Sequence, residues 1–157
     1  MRTKEEWIRD LHLIPHPEGG YYRQTDRSEE VFGEKRLPLY TNIYFLLTKE
    51  SPSHFHRLTS DELWFYHGGS PLTIHSIKPD GAYVKNVLGL SEGQLLHHTV
   101  PAGEIFGSTV EEGFALVSCT VVPGFDFSDF RLFTEEELLK EYPQHEEIIR
   151  LLTIKKK

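Results

Sequence analysis

Between residues 21 and 122, short segments rich in β-branched and aromatic residues follow one another: YYRQT, YTNIYFLLT, SHFHR, DELWFYHG, LTIHSIK, AYVKNVLG, LLHHTVP and FALVSCTVV. Turn clusters separate them, namely SPS, GGSP, KPDG, SEG, PAG and EEG. Many short strands at close spacing imply an all-β antiparallel sandwich or barrel. Helical signals stand only at the ends. Thr3-Lys4-Glu5-Glu6 has the capping-box form, with Trp7, Ile8 and Leu11 at helical spacing behind it, and IPHPEGG stops the helix. Thr134-Glu135-Glu136-Glu137 opens a second helix, Pro143 interrupts it, and Ile148, Ile149, Leu151 and Leu152 add further helical turns.

No repeat, linker or low-complexity block divides the 157 residues, so residues 1–157 read as one domain, the β-rich part about 18–132 and the C-terminal helical segment about 134–152. IYFLL, Ile43 to Leu47, is apolar at every position, so this strand is expected to be covered on both faces. A second sheet or a partner subunit would supply the cover, and a homodimer is expected. A formal net charge of −7 argues against a nucleic-acid partner, and the run Lys155-Lys156-Lys157 reads as a solvated tail. The single cysteine, Cys119, sits in an apolar run, which suits a buried thiol and a reducing compartment. MRTKEEW carries charges where a signal peptide has an apolar core, and no apolar run approaches a membrane span. The expected address is the cytoplasm, with no membrane partner.

SPSHFHRLTSDELWFYHGG carries the chemistry. Alternation puts His54 and His56 on one strand face, and Glu62, Trp64 and Tyr66 on one face of the next. The short connection RLTSD brings Glu62 back beside His56. Two histidines and a carboxylate form the donor set of a non-haem metal site, and also an acid/base cluster. Trp64 and Tyr66 read as an aromatic wall, with strand core as the plain alternative. Arg57 and Arg23 are candidates for holding a ligand carboxylate or phosphate, or else plain surface arginines. The faces of His75, His97 and His98 stay open. In GFDFSDF, Phe125, Phe127 and Phe130 are read as packing over the barrel, with Asp126 and Asp129 ending or capping turns.

His54, His56, Glu62 and Gly69 resemble the first motif of the cupin superfamily, with one extra residue before Glu62 and Thr48 at the leading glycine position. The second motif is similar to PAGEIF, residues 101–106, where Phe106 replaces the expected fourth ligand, a histidine. PHPEGGYYRQT (15–25), SHFHRLTSDELWFY (53–66) and CTVVPGFDFSDFRL (119–132) together resemble the small-cupin subgroup known as cupin 5, similar in fold to dTDP-sugar epimerases and plant storage globulins. The resemblance implies a double-stranded β-helix (jelly-roll) barrel with short helices at both termini, a dimer and a pocket at the barrel mouth. It implies no particular reaction. The expected function is binding of a small polar metabolite, with sugar-like isomerase or epimerase chemistry or a metal-dependent oxidation. In the acid/base version His54 or His56 abstracts a proton, Tyr66 or Glu62 returns it, and Arg23, Arg57, Trp64 and Phe106 contact the ligand. The alternative is a ligand-binding or sensing protein without catalysis. A divalent Fe, Mn, Ni or Zn ion on His54, His56 and Glu62 is weighed against a metal-free pocket, and the missing fourth ligand tips the expectation to the latter.

Overall fold

A computed structural model describes residues 1–155; Lys156 and Lys157, two residues of the expected tail, lie outside the described residues. The N-terminal helix α1 (Lys4–Asp10) is closed by a complete Thr3/Glu6 capping box. The strands follow: β1 (Ile14–Pro15), β2 (Tyr21–Arg27), β3 (Val31–Phe32), β4 (Leu37–Pro38), β5 (Thr41–Thr48), β6 (Ser53–Arg57) and β7 (Asp61–Gly69), then β8 (Leu72–Ile77), β9 (Tyr83–Leu88), β10 (His97–Val100), β11 (Ile105–Thr109), β12 (Phe114–Val122) and β13 (Arg131–Leu132). Helix α2 (Glu135–Glu141) carries the Thr134/Glu137 capping box, a 3₁₀ turn begins at Pro143, and α3 (Glu146–Leu151) follows. No helix among the described residues is long and apolar enough to cross a membrane.

Two antiparallel sheets face one another as a jelly roll, in orders β1-β2-β5-β12-β7-β10 and β13-β6-β11-β8-β9. Their inner faces share one core containing Phe45, Leu47, Trp64, Leu72, Ile74, Val117 and Cys119. Complete burial of side chains of this kind contributes about 1.5–3 kcal/mol each. The all-apolar strand β5 is covered on both sides, as its sequence requires. Phe45 and Leu47 face the core, whereas Leu46 joins Leu13 and Leu116 beneath Trp7, Ile8 and Leu11. The second cover is therefore the chain's own α1 segment, and IYFLL needs no partner subunit. Helices α2 and α3 do the same for the other sheet, packing Leu138, Ile149 and Leu152 on Phe55, Ile77 and Ile105.

Strand β11, central in its sheet, lies between the turn clusters PAG and EEG, where the sequence shows no strand pattern. Gly107 hides it. A Cβ there would collide with the Ser53 carbonyl oxygen on β6, so the sheet demands the residue that most weakens a strand signal.

Candidate functional site

A cavity of about 330 Å³ opens between the sheets, and His16, Glu18, His56 and Glu62 lie in its wall. Tyr22, Ile43, Phe125 and Phe127 supply apolar lining, while Gln24, Arg27 and Asp126 bring polar groups to it. Two of these key residues, His16 and Glu18, belong to IPHPEGG, whose prolines and glycines signal a helix stop and give no hint of a site. What places them is backbone economy. Gly19 has φ +105°, and a Cβ on it would overlap the Pro52 carbonyl oxygen, so the loop lies directly on the chain entering β6. The His54 N–H then donates to the Glu18 carbonyl at 2.7 Å. Gly19→Ala is expected to lower folding stability by about 3 kcal/mol or more, read as a drop in urea midpoint, because backbone strain and a backbone clash add.

A β-bulge decides which β6 side chains enter. Phe106 pairs with His56, but Ser108 pairs with Ser53, so β6 spends one more residue than β11 over the same span. Ser53 therefore takes the inward place that alternation assigned to His54, and its hydroxyl donates to Glu18 Oε2. His54 is turned aside, its Nδ1 2.7 Å from the Glu18 carbonyl oxygen, and it does not line the cavity. The expected facial set of His54, His56 and Glu62 is thus not assembled. Phe106, at the position of a fourth ligand, puts its ring 4.2 Å from that of His56. No three His, Cys, Asp or Glu side chains among the described residues are grouped to hold a metal ion. The donor set does not fit a resident metal on these residues.

The other expected site residues separate clearly. Trp64 is buried in the core behind the cavity, as is Phe106. Tyr66 donates its hydroxyl to the Gly69 carbonyl at 2.6 Å and is not part of the cavity wall. Arg23 is exposed and alternates with Tyr22 and Gln24, which puts it on the outer face of β2. Arg57 lies with its guanidinium 5.3 Å from the Phe133 ring, also outside. His75 is held by the Tyr83 hydroxyl and Thr109 Oγ1, outside the cavity; His97 is exposed and His98 half-buried. Asp126 does cap a turn, accepting from the Ser128 N–H, and Phe127 and Phe130 close on the His16 ring at 6.1 and 6.2 Å.

Hydrogen bonding fixes the two cavity histidines in opposite tautomers. The His56 Nδ1 lies 2.7 Å from the His54 carbonyl oxygen, which can only accept, so Nδ1 carries the proton. Glu18 Oε2 lies 3.1 Å from the same nitrogen. The neutral His56 ring therefore keeps its lone pair at Nε2. His16 Nδ1 accepts the Glu18 N–H at 3.1 Å, so the neutral ring carries its proton at Nε2 and can donate.

Burial keeps all four groups uncharged near neutral pH. It lowers His56 to about 3 and His16 to about 4, and raises Glu62 to about 8, the last partly opposed by the nearby Trp64 indole. The indole N–H does not reach hydrogen-bond geometry, and Glu62 Oε2 is likewise without a partner. Burial, and then Glu62, push Glu18 well above the carboxylate range, with Ser53 opposing. His56 and Glu18 stand at ion-pair distance but both rest neutral, because both charged forms lose solvation there.

Residues 5–133 match the model of the Cupin superfamily family Cupin_5 (DUF985). The chain belongs to this cupin family. A structure of protein SO0799 from Shewanella oneidensis is similar to this cupin at TM-score 0.94 and 45% identity, covering 99% of this chain and 100% of that one. A hypothetical protein from Leishmania major gives TM-score 0.91 and 45% identity over 98% of this chain and all of the other. The uncharacterized protein YML079W of Saccharomyces cerevisiae is 31% identical over 87% of this cupin and 78% of its own length. Oxalate decarboxylase of Bacillus subtilis shares the fold at TM-score 0.60 and 14% identity, with 96% of this cupin aligned to 39% of that chain. At that identity the likeness concerns the fold alone.

Proposed function

We propose that this cupin binds a small polar, sugar-like metabolite between its sheets and moves a proton on it, as an isomerase or epimerase does. The observation that carries the reading is the opposed pair of tautomers beside an unpartnered acid. His16 offers an N–H, His56 offers a lone pair, and Glu62 Oε2 has no protein partner. A carbonyl compound with an acidic C–H uses all three. His56 Nε2 takes the proton, and the C–H electron pair moves into an enolate whose oxygen accepts from His16. Glu62, which keeps its proton to about pH 8, returns one to carbon. Water then passes the proton of His56 back to Glu62, and nothing is oxidised or reduced. Glu18 is a positioning residue, packed 3.1 Å from the His56 Nδ1, whose proton the His54 carbonyl accepts. Every group named comes from one chain.

Binding without catalysis is the second reading, favoured by the depression of His56 to about 3, which makes it a weak base. Incubating aldoses, ketoses, sugar nucleotides and hydroxy acids with the protein in D2O separates the two. The enzyme reading expects a bound compound that gains deuterium at carbon, with exchange lost in His56→Gln and Glu62→Gln. Saturable binding without exchange across the panel supports the sensor, and no binding at all removes both.

A further inference from the structure

Strand β2 contains a second bulge that changes what the cavity can hold. Tyr22 and Gln24 face inward, and simple alternation would send Asp26 in after them. The register instead slips between Gln24 and Asp26 against β5, so Asp26 pairs with Asn42 and Arg27 with the buried Thr41. Arg27 thereby reaches the cavity, and Asp26 is held outside, accepting from the Thr25 hydroxyl. A bulge that reverses a strand's facing beside a cavity re-aims a side chain. Here it exchanges an anion for a cation.

Arg27 forms no ion pair and no side-chain hydrogen bond among the described residues. Asp126, also in the cavity wall, is near enough to feel its charge, but its Oδ1 is committed to the N–H and hydroxyl of Ser128. Deeper in, the cavity presents only the neutral histidines and carboxyls described above. The lining therefore has two parts, a free guanidinium and an uncharged donor–acceptor array.

Resting on the proposed small-molecule reading, we infer that Arg27 is the anion anchor of this cavity and that the ligand carries a carboxylate or phosphate at one end and uncharged hydroxyl or carbonyl groups at the other. Guanidinium matches either anion with two parallel hydrogen bonds, and the bulge is what brings it there. Sugar phosphates and sugar acids have this shape; neutral sugars lack the end that Arg27 would hold.

Inorganic phosphate and acetate test the anchor alone, each titrated into 15N-labelled protein while the Arg27 Nε–H signal is followed. A saturable shift with either anion is expected, with apparent affinity at least tenfold weaker in Arg27→Gln and changed less than twofold in Arg23→Gln, which removes the same charge from the opposite face of the strand. The stronger of the two anions identifies the ligand's acidic group. No saturable shift with either, or equal losses in the Arg27 and Arg23 variants, overturns the inference. Glucose 6-phosphate and glucuronate then address the deeper groups through the His56 and His16 imidazole signals. Silence there with an intact Arg27 response counts against the proposed function and leaves the anchor standing, so the two readings fail separately.

Discussion

Folding free energy is expected to peak near pH 6.5 and to fall on both sides. His16, His56 and His75 are buried neutral, with pKa values lowered to about 4, 3 and 4. Below pH 6.5 the unfolded chain protonates them and the fold does not, so stability is lost as pH falls. Glu62, raised to about 8, and Glu18, raised with it, act in the opposite sense. The fold keeps their protons while the unfolded chain has released them above about pH 4.5, so their contribution is lost as pH rises. Between pH 4.5 and 6.5, three histidines work against two carboxyls, and the net slope is about 1.4 kcal/mol per pH unit. Below pH 4.5 the unfolded carboxyls also take up protons, but the native His16 and His75 begin to titrate in the same range, so the slope rises only to about 2 kcal/mol per unit. From pH 6.5 to 8, Glu62 alone removes about 2 kcal/mol. Urea unfolding in half-unit steps from pH 4 to 9 measures the profile, and Glu62→Gln is expected to flatten its alkaline side. A wild-type profile already flat from pH 6.5 to 8 would mean that Glu62 is ionised in the fold.

What the sequence revealed of this protein, and what it concealed, divides along one physical line. Capping boxes at Thr3 and Thr134 are local hydrogen-bond patterns, and both helices begin where those residues place them. The inward facing of Glu62 and Trp64 follows from alternation in an unbroken stretch of β7. Alternation fails at bulges, because one extra residue reverses every facing beyond it. The bulge in β6 keeps His54 out of the cavity and turns Ser53 toward Glu18 in its wall; the one in β2 withdraws Asp26 and brings in Arg27. Neither leaves a residue signature that periodicity can detect. His16 and Glu18 were hidden differently. They sit in a Pro/Gly loop whose position depends on contact with Pro52, far along the chain. The only signal was an acid flanked by proline and two glycines, a rigid turn presenting one carboxyl. Jelly-roll architecture was legible because it rests on many strands at once, whereas the site rests on two single-residue slips and one loop.

Glu18 links those parts, and its replacement should show the largest single loss. In Glu18→Ala the Ser53 hydroxyl loses its acceptor, the His56 Nδ1–H keeps only the His54 carbonyl, and a buried void opens beneath the loop. Stranded polar groups and the void together are expected to cost about 3–5 kcal/mol in urea unfolding at pH 6.5. Glu18→Gln separates shape from charge. A resting Glu18 that is protonated has nearly the outline of glutamine, whose carbonyl can accept from Ser53 while its amide donates toward His16 Nδ1, 3.4 Å from Glu18 Oε1. The cost of Gln is therefore expected to stay below about 1 kcal/mol, as for other isosteric core replacements. The same variant removes one of the two raised carboxyls, so the alkaline limb should lose about 1.4 kcal/mol per pH unit of slope. Imidazole 15N shifts are expected to show the Nδ1–H tautomer of His56 in both variants, because the His54 carbonyl still accepts from it. If Gln costs as much as Ala, Glu18 is ionised in the fold, its partnership with His56 is an ion pair, and the uncharged cavity gives way to one with a fixed charge at its base.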